Sequence, residues 1–520
     1  MVSLADMSSR GVAVLRTRAG DVSLWEAVLP AEVLRLPEEL ARVDALLDDP
    51  VFFVPFLPFF DPRVGRPSTP METYLRMMFL KFRYRLGYES LCREVSDSHL
   101  AAVLPDPDRR QRPAPDDVDE ADDPLRHRSG AGLQRGSAGQ GRAGKAATHH
   151  PVARRHHGGP GRRGLPDRLG LLAKAVRRIA AGGRRVQAAG GATRTRLRDR
   201  SRSAGKRAHG IAAKLRLRSA QGKQEAQATV RRITGELACL AERAVADANA
   251  LLAGARRALC RAQAKAETLA ASGSKDAEAG RRRGRLRRAV NDLTELLEVT
   301  RRIAGQTRQR LSGGIPPGAT RRVSLHDGDA RPIAKGQLGK PVQFGYKAQV
   351  VDNDDGVVLD HALLQGNPAD APQLAPAVER VIARTGCKPR TVTADRGYGE
   401  ASVDDALQEL GVRHVVIPRK GKPGKARQAE EHRPVFRKHV KWRTGSEGRI
   451  SSLKRGYGWD RTRIDGTAGA QIWTGQGVFA HNLVKIGALA ASQSQGTDQP
   501  VEDRSPDTRQ SLATQFFRSK

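Results

Sequence analysis

"RTVTADRGYGE" (390–400) is a short β-branched run that ends in a carboxylate and a Gly-Tyr-Gly turn. Thr391, Val392 and Thr393 have the composition of a short buried strand. Asp395 follows at its C-terminal edge, which is where α/β sheets place their chemistry. The stretch therefore predicts an α/β fold with Asp395 as its first candidate catalytic and metal-holding residue.

The neighbouring segments fit that reading. "VQFGYKAQVVDNDDGVVLDHALLQG" (342–366) reads as two strands joined by a turn at Asn353–Gly356. "APQLAPAVERVIART" (371–385) has helical spacing, and "RHVVIPR" (413–419) reads as another strand. "GSEGRISSLKRGYG" (445–458) starts a helix, and "AGAQIWTGQGVFAHNLVKIGALAAS" (468–492) is a further one. Strands followed by alternating helix and strand imply a mixed sheet with helices on its faces. On the helix from 445, Glu447 and Lys454 are two turns apart on one face, with Arg443 four residues before Glu447. An acid able to hold a metal and a base able to hold phosphate then share one groove. Paired carboxylates with Mg²⁺ are what phosphoryl transfer requires, one ion activating the attacking oxygen and the other stabilising the leaving oxygen.

Upstream of the sheet the period is helical over 169–313, with breaks near Gly182–Gly183, Gly190–Gly191 and Ser272–Ser274. "RTRLRDRSRSAGKRAHGIAAKLRLR" (194–218) and the run Arg281, Arg282, Arg283 carry a dense positive load suited to phosphate contact. Residues 1–98 read as a helical domain. "RPSTPMETYLRMMFLKFRYRLGYESLCREVSDS" (66–98) gives two helices around Gly87, a pattern open to a DNA-binding helix-turn-helix or an ordinary helical hairpin.

The whole chain of 520 residues carries a formal charge of +35 and a pI near 11, which points to a polyanionic partner, although a GC-rich genome also enriches Arg. Cys92, Cys239, Cys260 and Cys387 form no CxxC pair, so neither a zinc site nor a disulfide framework is expected. The sequence starts without an apolar signal region and contains no apolar run near 18 residues, so no membrane span and a cytoplasmic location are expected.

Together, "TADRGYGE", "WRTGSEGRISSLKRGYGWDRTR" and "GVFAHNLVKIGALA" resemble the catalytic half of bacterial insertion-sequence transposases of the DDE class. Arg443, Glu447 and Lys454 fit that class's spacing R-x3-E-x6-K, with Val440 in place of the usual Tyr three residues before the Arg. The N-terminal helices and "HDGDARPIAKGQLGKPVQFGYKAQVVDNDDG" (326–356) resemble the corresponding family segments. The resemblance implies an RNase H-like core at 314–492, behind an N-terminal helical, DNA-binding domain (1–98) and a basic helical insertion (169–313). It implies Mg²⁺-dependent cleavage at transposon ends and strand transfer into target DNA by a homo-oligomer on double-stranded DNA. Two Asp and one Glu would hold two Mg²⁺ ions, Asp395 and Glu447 being two of the three. Arg443 and Lys454 would contact DNA, as would Arg281, Arg282 and Arg283.

Residues 99–168 break the pattern. They lack Phe, Tyr, Trp, Ile, Met, Cys and Asn, yet hold six of the chain's thirteen His. Their composition is that of a disordered segment, as is that of the tail from 493. A family-like first strand "ADTTVV", encoded with GC-rich codons and read two bases late, becomes Arg-His-His-Gly-Gly, the residues found at 155–159. We read 99–170 as a segment translated in a shifted frame. The first Asp codon would then be split between Arg155 and His156, the first core strand would be missing, and this copy would be inactive. Asp327 and Asp329 are the nearest substitute carboxylates in the sequence. A His metal box at 149–157 lacks regular ligand spacing. A non-catalytic DNA-binding remnant and an unrelated RNase H-like nuclease are the alternative functions.

Overall fold

The computed structural model describes residues 13–17, 35–60, 66–97, 147–153, 167–215, 220–271, 277–337 and 340–495. In chain order the helices and longer strands are α1 (Glu38–Leu47), α2 (Met71–Arg83), α3 (Tyr88–Asp97), β1 (Ala147–Ala153), α4 (Asp167–Ala188), α5 (Ser201–Lys214), α6 (Ala220–Ala271) and α7 (Ala277–Leu311). Then come β2 (Arg331–Gln337), β3 (Lys340–Asp352), β4 (Val358–Leu364), α8 (Leu374–Thr385), β5 (Thr391–Thr393), α9 (Ala401–Glu409), β6 (His414–Val416), α10 (Lys425–Glu431), α11 (Pro434–Gly456) and α12 (Gly466–Gln495). The architecture is mixed α/β and mostly helical. It divides into two compact units, one of Met1–Arg155 with Gly345–Lys520, the other of His156–Phe344.

In the first unit β3 is central, antiparallel to β1 on one edge and to β4 on the other. The β3–β4 turn lies where the sequence predicts it. Asn353 Oδ1 accepts from the N–H groups of Asp355 (3.1 Å) and Val357 (2.9 Å), and Gly356 supplies the positive φ of 84° that closes the turn. After α8, β5 and β6 form a separate parallel pair, with α9 as their crossover. α11 packs on β5 and β6. Its start at Pro434, eleven residues before the predicted one, follows from a proline at the first helical position, where the missing N–H costs nothing.

α12 is the spine of this unit. It packs against α1, α2 and β4, and one apolar core joins Leu75, Met78 and Phe79 of α2, Tyr346 and Val350 of β3, and Trp473 and Phe479 of α12. Fully burying side chains of this size stabilises the fold by about 1.5–3 kcal/mol each. Close approach to α12 depends on Gly477, where a Cβ would stand 2.6 Å from Tyr457 O and 2.8 Å from the Trp459 ring. Trp459 is fully buried and its Nε1 donates to Thr474 O at 3.0 Å.

Within 99–168, which composition marks as disordered, the described residues Ala147–Ala153 form the strand β1. Seven residues of that segment, "ATHHPVA", pair with β3 from Ala147↔Val351 to Ala153↔Gly345. The physical reason is that a ladder is made by backbone groups. An open edge of β3 presents N–H and C=O groups that need partners whatever side chains the partner carries. Residues 99–146 and 154–166 lie outside the described residues, as does the tail from 496.

The second unit is a bundle of α4–α7. On α6 the buried positions Leu237, Ala241, Ala244, Ala248, Leu251 and Ala255 are spaced alternately by four and three. On α7, Leu286, Val290, Leu293, Leu297, Thr300 and Ala304 repeat the same spacing. Apolar positions every 3.5 residues keep two helices in register along a left-handed seam. α4 and α5 pack onto this pair, and Gly191, with Leu286 and Ala255 around it, marks the end of the shared core.

Candidate active site

β5 ends at Thr393, and buried Ala394 carries the chain to Asp395, which is half-buried in extended backbone (φ −74°, ψ 170°). Asp395 caps a 3-10 turn, Arg396–Tyr398, by accepting from Gly397 N–H at 2.7 Å. That turn is pinned to the segment after β6. Lys420 N–H donates to Gly399 O at 2.8 Å, and the Arg396 guanidinium donates to Arg419 O (3.0 Å) and Gly421 O (2.8 Å). The carboxylate is thus held at a sheet edge by backbone contacts on both sides.

A second carboxylate stands beside it. Asp395 Oδ1 and Asp370 Oδ2 lie 2.8 and 3.2 Å from the point where a Gly397 Cβ would be, so they flank a space one methyl group wide. Asp370 is ion-paired to Lys347 on β3, whose Nζ also donates to Pro368 O at 2.8 Å. Two adjacent carboxylates repel, and a lysine on one of them lowers that cost. The sequence reading missed Asp370 and Lys347. "GNPAD" carries no periodicity, and only the fold brings residue 370 against 397.

α11 places Arg443, Glu447 and Lys454 on one stripe, as their spacing predicts. The side chain of Glu447 lies outside the described residues. Arg443 and Lys454 are half-buried. The position of this helix along its axis is fixed two residues beyond Glu447: Arg449 Nε donates to Asp352 Oδ2 at 2.9 Å, and that carboxylate is buried at the end of β3. A buried charge needs its partner, so the pair allows α11 little sliding on the sheet. On the far side of the same turn, His481 Nε2 donates to Gly356 O at 3.2 Å. Burial first, and the nearby Arg449 and Lys485 charges after it, lower the His481 pKa to about 4.

Oxygen donors of this kind suit Mg²⁺. Asp395 and Asp370 are adjacent oxygen donors of this kind, and Glu447 on α11 is the further acid that the sequence predicts. The set is short of a carboxylate from β1, which has none in "ATHHPVA". Among the described residues no group of three or more His, Cys, Asp or Glu is placed to hold a metal ion. Asp327 belongs to the other unit and has a structural task there. It is fully buried and its Oδ1 accepts from the N–H groups of Asp329 (3.0 Å) and Ala330 (3.2 Å), which fixes a turn.

Of the basic residues predicted to meet DNA, Arg281, Arg282 and Arg283 open α7 in the second unit. Arg281 is exposed, Arg282 pairs with Glu278 at 2.7 Å, and Arg283 is half-buried toward the seam. Among the described residues no helix is long and apolar enough to cross a membrane.

No curated protein and no solved structure matches the chain. Residues 318–483 match the family model described as the transposase DDE domain. The match takes in the β3–β4 hairpin, the strand leading to Asp395 and the whole of α11. Over these residues the chain matches a transposase DDE domain.

Proposed function

We propose that this chain is a DNA transposase by descent that binds double-stranded DNA but does not cut it. The antiparallel order β1–β3–β4, followed through a helix by the parallel pair β5–β6, is read as an RNase H-like core interrupted by the helical unit. In that reading Asp395 and Glu447 are the second and third catalytic carboxylates, held respectively by the pinned turn and by the Arg449–Asp352 anchor. Two Mg²⁺ ions bound by a complete set would supply the Lewis acidity for attack on a phosphodiester. This chain's residues would hold the ions and exclude misaligned oxygens. Arg443 and Lys454 would steady phosphates along α11.

The observation that carries the reading is β1. It takes the edge of β3 where the first carboxylate is needed and brings none. Family-like sequence resumes near Leu171, so we assign 99–170 to a shifted frame, with the Asp codon split between Arg155 and His156. Catalysis needs its ligands held within about 0.5 Å. His156→Asp alone is therefore expected to give no cleavage, because residue 156 lies beyond the end of β1 at Ala153 and is not held on the strand. The test incubates the purified chain, His156→Asp and a re-framed 99–170 version with duplexes carrying the element's own termini and Mg²⁺. Binding by all three and cleavage by the re-framed version alone are expected. Cleavage and joining by the unaltered chain would refute the reading and make Asp370 the candidate third ligand. Cleavage of unrelated duplexes instead would favour an RNase H-like nuclease.

A further inference from the structure

The helical seam stops before its helices do. Among the described residues the last buried positions are Ala255 on α6 and Leu286 on α7, yet α6 continues to Ala271 and α7 begins at Ala277. Sixteen residues at 1.5 Å each extend α6 by about 24 Å beyond the bundle core. Along this extension the seam positions become Ala258 and Ala262 opposite Arg283 and Ala279, and Leu259 is only partly buried against the end of the bundle core. The helices persist because Ala, Arg, Lys, Gln and Glu are strong helix formers.

The charge of the extension is lopsided. Residues 256–271 and 277–289 hold ten Lys and Arg against two Glu, Glu267 and Glu278. On α7, Arg281, Arg285 and Arg288 follow the i, i+4, i+7 rule on one stripe away from the seam, and all three are exposed. On α6, Arg257, Arg261 and Lys265 form a second exposed row. Arg282 and Arg283 are the less available members, one paired with Glu278 and the other turned toward the seam.

We propose that this two-helix arm grips the phosphate backbone of duplex DNA, with Arg281, Arg285 and Arg288 as its main row of contacts. The proposal rests on the DNA-binding reading above and locates it on a specific surface. Each row spans about 10–12 Å of helix, over which a duplex presents one charge per about 1.7 Å of its axis. A membrane surface is a poorer fit, because the arm has no aromatic residue and no broad apolar face to enter the headgroup region. A second copy of the chain is a poorer fit, because the exposed rows carry like charge.

The experiment measures affinity of the full chain for a duplex of mixed sequence by fluorescence anisotropy over a range of salt concentrations. The variants are Arg281→Gln/Arg285→Gln/Arg288→Gln and the same three positions changed to Lys. Circular dichroism checks that helix content is kept. Each lost phosphate contact lowers the log–log salt slope by about 0.9, so the Gln triple should lower it by about 2–3 and the Lys triple should hold it near the parent. An unchanged slope in the Gln triple, with the parent still binding, overturns the arm and leaves DNA binding standing. A parent chain that binds no duplex, or that binds anionic phosphatidylserine vesicles in preference to duplex, overturns the arm together with the DNA-binding reading.

Discussion

Gly399→Ala asks whether the turn carrying Asp395 is truly pinned. Gly399 has φ −74°, which any residue adopts, so the substitution meets no backbone strain. It meets an occupied volume instead. A Cβ there would stand 2.0 Å from Pro418 O, 2.9 Å from the Pro418 carbonyl carbon and 2.9 Å from Lys420 N. Those are backbone atoms and cannot rotate away. Carbon–oxygen contacts settle near 3.3–3.6 Å, so the two segments must part by more than about 1 Å. That breaks the hydrogen bond from Lys420 N–H to Gly399 O. Overpacking of this kind costs about 1–3 kcal/mol, and the lost bond adds about 0.5–1.5 kcal/mol. We expect a total loss of about 2–4 kcal/mol. All four tryptophans belong to the unit that holds Asp395, so urea unfolding followed by tryptophan fluorescence reads that unit alone. Gly397→Ala is the partner variant. Its Cβ meets only the Asp395 and Asp370 carboxylates, which can swing aside. It should change stability by less than about 1 kcal/mol. A Gly399→Ala protein whose midpoint matches the parent would refute the pinned turn.

The pH dependence of this unit should be steep below neutrality. Burial lowers the pKa of both His361 and His481 to about 4, so each is neutral when folded and takes a proton on unfolding as pH falls below 6.5. Between pH 6.5 and 5 each should remove about 1.6 kcal/mol of stability, and an unchanged urea midpoint at pH 5 would exclude this. Asp360 is fully buried between Arg380 (2.8 Å) and Arg384 (2.5 Å). Asp360→Ala strands the Arg384 charge, and the same unfolding assay should lose about 3 kcal/mol. Gly280 has open space around its Cβ position, and Gly284 meets only the end of Arg288 at 3.6 Å. Gly280→Ala and Gly284→Ala should each stabilise the start of α7 by about 0.5–1 kcal/mol, visible as added helical signal in circular dichroism at raised temperature.

The sequence told most where a local rule and the fold agree. The Asn353–Gly356 turn was legible because Asn side-chain capping and a positive-φ Gly are needed there in any context. α8 and α12 were legible from apolar spacing. The placement of Asp395 at the end of a short strand was legible because a β-branched run, a carboxylate and a glycine turn sit next to one another in the chain. What was not legible depends on distant partners. Asp370 matters only because residue 397 has no side chain to keep it away from Asp395. Asp352 reads as one of several acids in "VVDNDDG" until Arg449 is seen against it. β1 has no strand pattern of its own and owes its conformation to the edge of β3. The seam of α6 hid behind alanines, which mark helix well but say little about which face is buried.

The pairing Ala153↔Gly345 has a topological consequence. Neighbouring strands lie about 4.7–4.9 Å apart, so β1 and β3 are the two arms of a β-hairpin whose connecting loop is an entire folded unit, His156–Phe344. The entrance and exit of that unit are held close together by the ladder. Closing a loop costs entropy that grows with the logarithm of its length. A connecting segment that packs a core of its own is ordered by that core rather than by the closure of one long flexible loop. The register of β1 on β3 is therefore set by the sheet's own ladder, and a change in the length of α6 or α7 leaves those backbone pairs in place.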